Sequence, residues 1–283
     1  MRFHFFTLGG KQFWEDVFCY QNWRIQRHYR THVYRLLDHW DICHASGSFE
    51  DCRQAFVKLI EIYEIPRQKG KLVVLLHGFS ESKDIFKSLC GALEKENYNV
   101  ADINYPSLKK TIKEHVDQLN FFLTHIEDVS EVSFITNGTG CILLRHLFKN
   151  NSSLSDKISI GKIINVNPTN LGSEWCTAFS SFKLINWFIG QSLKPYTVVN
   201  VKRAPKLPTG IPLGLIFCET YLGKLIKLLT KRYEGIKVPG DLTEEDFSSE
   251  NIHIKNSRFN IFNNTLLIKE CVHFLNEGHF EKT

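Results

Sequence analysis

The chain has 283 residues, 43% hydrophobic and 23% charged, with 35 Lys and Arg against 30 Asp and Glu for a net charge of +5. This composition excludes a disordered or fibrous chain and suits one large α/β domain or two small ones. The positive charge is mild and comes without a basic block, so no nucleic-acid partner is expected. Arg24, Arg27, Arg30 and Arg35, the nearest cluster, read as a solvated face.

The opening stretch, MRFHFFTLGGKQFWEDVF, is aromatic but lacks a long apolar core and a small-residue cleavage site. It does not read as a signal peptide. No apolar run approaches a membrane span, so no transmembrane segment is expected and a cytoplasmic protein is the default. The eight cysteines include no CxxC pair and read as buried free thiols of a reducing compartment. His39, Cys43 and His44 have ligand chemistry but no second pair at finger spacing, so neither a metal nor another cofactor is expected.

Residues 20–47 alternate in short runs that predict a small antiparallel meander. In SFEDCRQAFVKLIEIYEI, Ser48 is a predicted N-cap with Asp51 three residues on. Phe49, Cys52, Phe56, Leu59, Ile60 and Tyr63 follow at helical spacing. KLVVLLHGF then has the continuous aliphatic run of a strand buried on both faces, as in a parallel sheet. Helix (DIFKSLCGALEKENY), strand (NVADINYP), helix (TIKEHVDQLNFFLTHI), strand (EVSFIT), helix (GCILLRHLFKN) and strands IGKIINVNP and GIPLGLIFCE follow. Such alternation predicts a doubly wound, mostly parallel α/β sheet with helices on both faces. Between the last two strands, residues 171–196 carry Trp175, Phe179, Phe182, Trp187 and Phe188. This insert reads either as a core-covering helix pair or as a cap over a ligand cleft. The expected division is an N-terminal meander-plus-helix extension, 1–66, packed on an α/β domain, 67–283.

The stretch from Thr136 to Gly140, TNGTG, lies between a strand and a helix. A nucleophile elbow needs small-x-nucleophile-x-small at such a turn, and here the central position is Gly138. Shifting the frame makes Thr139 or Cys141 the nucleophile, at the cost of poorer flanking residues. Gly138 has its own logic, because glycine relieves the strained backbone an elbow imposes on other residues.

Around this stretch the chain resembles the α/β-hydrolases of the bacterial lipase and esterase type. VVLLHGFSESKDIFKSLCGALEKENYNVADINYPS resembles their oxyanion strand, first helix and second strand, and VSFITNGTG falls at their elbow. NPTNLGSEWCTAF, YEGIKV and SRFNIFNNTLLIKECVHFLNEGHF resemble the later segments in the right order. The resemblance puts the nucleophile position on Gly138, the histidine position on Arg258 and the acid position on Glu234. The oxyanion-hole donors would be the backbone amides of Phe79 and Thr139. His77 would shape the oxyanion loop rather than act as a base. Arg258 would pair with Glu234 or bind an anionic group, and His253 is the nearest histidine in sequence to substitute as base.

Arginine cannot serve as a general base near neutral pH. The leading expectation is a catalytically impaired hydrolase fold, a pseudoenzyme binding an apolar or ester-like acyl ligand or a protein partner. The alternative is an active esterase or lipase using Thr139 or Cys141. An inactive relic is not separable from the first by sequence.

Overall fold

The computed structural model describes residues 10–150, 158–168, 200, 204–219, 250–255 and 260–281. The described residues begin with a short helical turn, Gly10–Gln12, and then hold four antiparallel strands in the order β1 (Trp14–Tyr20), β2 (Trp23–His28), β3 (Tyr34–Leu37) and β4 (Cys43–Gly47). The meander thus begins at Trp14, six residues before the predicted start. Its first strand, WEDVFCY, escapes sequence reading because Glu15 and Asp16 interrupt the apolar pattern, yet both are completely buried. Helix α1 (Phe49–Ile62) follows, and its start is as predicted. Ser48 accepts from the Asp51 amide while the Asp51 side chain accepts from the Ser48 amide. Cys52 and Phe56 from α1 close a core with Val17, Phe18, Ile25 and Leu36.

The basic cluster is not a solvated face. Arg27 donates to buried Glu15, Arg24 pairs with Asp41, and Arg35 lies 3.8 Å over the Trp14 ring while donating to Gln26 at 2.7 Å. Of the four arginines only Arg30 is exposed. Acids and rings of the meander consume the positive charge that the linear pattern displays.

Among the described residues a second sheet has six strands, in the order β10-β9-β8-β7-β5-β6. Its strands are β5 (Lys71–Leu76), β6 (Asn99–Ile103), β7 (Glu131–Asn137), β8 (Ser159–Val166), β9 (Leu213–Glu219) and β10 (Glu250–Lys255). All five pairings are parallel. Along β5, Leu72, Val74 and Leu76 face one core and Val73 and Leu75 the other, the period-2 alternation that lets one strand serve two layers. Helices α2 (Lys87–Lys95) and α5 (Thr265–Glu277) cover the Val73 face. Helices α3 (Ile112–Thr124) and α4 (Gly140–Asn150) cover the Val74 face.

A polar seam joins the two sheets. Asp16 donates its amide to the Asn104 carbonyl (2.9 Å) and accepts the Asn104 amide on its carboxylate (2.7 Å). Gln118 on α3 reaches the carbonyls of both residues, at 2.8 and 3.0 Å. Lys110 crosses to Glu15 at 2.7 Å. Strand β10 has no counterpart among the predicted elements: among the described strands it is an edge with Glu250, Asn251, His253 and Lys255 exposed, so its sequence carries little apolar signal. The aromatic insert at 171–196 lies outside the described residues. Among the described residues no helix is long and apolar enough to cross a membrane.

Candidate active site

The chain enters the large sheet at β5, moves outward to β6, then returns to the other side of β5 as β7. Loops leaving β5 and β7 therefore diverge at neighbouring strand ends. This is the topological switch point where open α/β sheets bind ligands. The first loop starts at His77 and the second holds TNGTG.

The second loop has the geometry of an elbow. Strand β7 ends at Asn137 and α4 starts at Gly140, leaving two residues to reverse the chain. Gly138 occupies the left-handed region at φ +51°, and its amide donates to the Val166 carbonyl at 2.9 Å. A Cβ built on Gly138 would meet no described atom within 4 Å. Gly140 is the reverse case: a Cβ there would come within 2.7 Å of the Leu76 carbonyl oxygen and 3.1 Å of that of His77. Helix α4 must pass this close to the end of β5, and only glycine allows it. The central position of the elbow thus has room for a side chain and a backbone strained for one, while its flank does not.

The first loop turns on His77, which is completely buried. Its Nδ1 donates to the Gly78 carbonyl (2.8 Å), its Nε2 accepts from the Tyr105 amide (3.4 Å), and its ring stacks on that of Tyr105 at 3.9 Å. Burial pushes its pKa down to about 4. With both nitrogens engaged by backbone and the ring neutral, His77 orders the loop, as expected, and is not placed to act as a base.

Glu81 ties the two loops together, and sequence reading misses it. The Asn137 side chain donates to both Glu81 carboxylate oxygens, at 3.0 and 2.8 Å. The Gly78 amide donates to one of them at 2.6 Å. Burial raises the Glu81 pKa, and the Asn137 and Gly78 hydrogen bonds pull it back. The only sequence signal is an acid four residues after His77, which by itself reads as a surface carboxylate.

The remaining candidates separate. Thr139 is at the turn and 7% exposed; Cys141 is inside α4 at 0% exposure, out of reach of an ester in solvent. His253 is on β10, three strands from β7, about 14 Å away at the usual strand spacing. Phe79 and Thr139 follow Gly78 and Gly138 in the two facing loops. Arg258 and Glu234 lie outside the described residues. Among the described residues no three His, Cys, Asp or Glu side chains group as a metal site, and His44 instead pairs with Asp38 at 2.8 Å.

No family model and no curated protein sequence matches the chain. Solved structures do. The mature lipase BlEst2 of Bacillus licheniformis is 14% identical over 75% of this chain and 94% of that one, with a TM-score of 0.54. The monoacylglycerol lipase of Paleococcus ferrophilus is 13% identical over 73% of this chain and 94% of its own, at 0.48. A pyrethroid hydrolase from Sphingobium faniae is 9% identical over 74% and 98%, also at 0.48. The likeness to the first, the parallel sheet with its switch point between β5 and β7, and the strand–elbow–helix that follows agree: the chain has the α/β-hydrolase fold, of the kind esterases and lipases share.

Proposed function

We propose that this chain is a catalytically impaired α/β-hydrolase-fold protein that keeps the ligand cradle and binds an uncharged apolar or acyl-bearing molecule. The observation that carries this reading is Gly138: the elbow apex has the φ of +51° and the open space of a nucleophile position, but no side chain to attack with. The resemblance assigns the histidine position to Arg258 and the acid position to Glu234. An arginine there removes the general base as well. In a serine triad, loss of the serine or histidine alone costs on the order of 10⁶ in kcat. The amides of Phe79 and Thr139 need no particular side chains, so a cradle outlives the chemistry.

The purified chain should neither label with a fluorophosphonate probe nor turn over short-chain p-nitrophenyl esters. Turnover that persists through purification and disappears on Thr139→Val or Cys141→Ala would make the chain an enzyme and overturn the proposal. Gly138→Ser combined with Arg258→His should recover weak esterase activity. A Cβ at Gly138 meets no described atom within 4 Å, and the helix N-terminus of α4 follows it.

A further inference from the structure

The link between the two loops is a carboxyl group. Glu81 accepts three hydrogen bonds, two from the Asn137 side chain and one from the Gly78 amide. Both partner groups are donors, which fits a carboxylate that only accepts. Among the described residues, the neighbouring lysines are committed elsewhere: Lys83 holds Asp102 at 3.1 Å, and Lys11 pairs with Asp84. The carboxylate is therefore held against the residue before Phe79 and against the residue before Gly138. Neighbouring Cα atoms are about 3.8 Å apart, so it lies within one or two residue steps of both amides that would stabilise an oxyanion.

We propose that Glu81 makes this cradle select against anions, so that it accepts uncharged acyl groups such as esters or amides and rejects carboxylates and tetrahedral oxyanions. An active hydrolase requires donors and positive potential where negative charge develops. Here a fixed carboxylate opposes that charge at short range and partly behind a protein surface, where Coulomb interactions are several-fold stronger than in bulk water. This is a third obstacle to ester chemistry, independent of Gly138 and Arg258. It also sharpens the ligand class. A cradle freed of catalysis has no need to bind an oxyanion, and Glu81 holds the oxyanion loop on the elbow more firmly than a neutral side chain would. The inference rests on Gly138 being the elbow apex of the proposed function, but not on any ligand being bound.

A thiol installed at the apex measures the field directly. Gly138→Cys places an ionisable sulfur where the structure has open space, and its pKa is read from the pH dependence of iodoacetamide alkylation, with the parent chain subtracted as background. A thiol at a helix N-terminus normally titrates below about 8.5. Opposed by Glu81, this one should titrate at or above that value. Adding Glu81→Gln should lower its pKa by about one unit, an approximately tenfold gain in thiolate below the pKa, while Glu81→Asp should leave it near the Gly138→Cys value. Equal pKa values with and without Glu81→Gln would overturn the proposal. So would equal drops in Glu81→Gln and Glu81→Asp, which would mean a loosened loop rather than a lost charge. A Gly138→Cys thiol well below about 8.5 also overturns it, and that reading needs no Glu81 variant to fold. None of these outcomes depends on ester turnover, so failure here is separable from failure of the proposed function.

Discussion

Two glycines two positions apart in the elbow obey different constraints, and their substitutions should separate them. Gly138 has room for a Cβ but a φ of +51°, so Gly138→Ala should cost about 1–2 kcal/mol of left-handed strain. Gly140→Ala would press its methyl to 2.7 Å from the Leu76 carbonyl and must move α4 off β5. Urea denaturation should rank Gly140→Ala as the more damaging; the opposite order would mean that the elbow space is not open. A second residue-scale expectation concerns acid. His115 on α3 is 1% exposed with neither ring nitrogen hydrogen-bonded among the described residues, and burial, then the Lys110 charge, push its pKa to about 3. Both His115 and His77 stay neutral in the fold, whereas in the unfolded chain they take up protons near about pH 6.5. Between about pH 6.5 and 4 the unfolded state binds more protons, so stability falls as pH drops through that window. His115→Phe should flatten the fall. Equal losses between about pH 7 and 4.5 in the two proteins would exclude His115 as a cause.

At the level of elements, the seam between β1 and the loop after β6 outweighs any single helix cap. Asp16 is completely buried and accepts from the Gln26 side chain and the Asn104 amide, both at 2.7 Å. Asp16→Ala would strand those buried donors, so it should cost about 3–5 kcal/mol. Ser48→Ala removes an exposed cap of α1 and should cost only about 1 kcal/mol. Comparable losses in the two variants, measured by chemical denaturation, would mean that the seam contributes far less than its burial implies. The same contrast explains what could be read in advance. The start of α1 is legible because its cap is local, three residues from Ser48 to Asp51. The seam is not, because Asp16 and Asn104 meet across 88 residues and each reads alone as a surface polar group.

For the whole molecule, the parallel sheet is legible in its aliphatic runs: KLVVLL can only be a strand with two covered faces or a buried helix turn, and the flanking glycines and alternation with helices decide between them. The elbow is legible in TNGTG and its context. Glu81 is not, because its importance comes from a loop 56 residues away in sequence and from charge rather than motif. The edges of the large sheet have a consequence of their own. An open sheet presents unpaired backbone at both ends, and such rows recruit foreign strands. On the β10 side the edge carries Glu250, Asn251, His253 and Lys255, whose charge and hydration discourage pairing. On the β6 side, the Asn104 carbonyl just beyond the strand is already taken by the Asp16 amide. At that point the N-terminal sheet guards the edge against self-association. A chain shorn of it would be endangered first by sticking to its own copies, before any loss of the elbow.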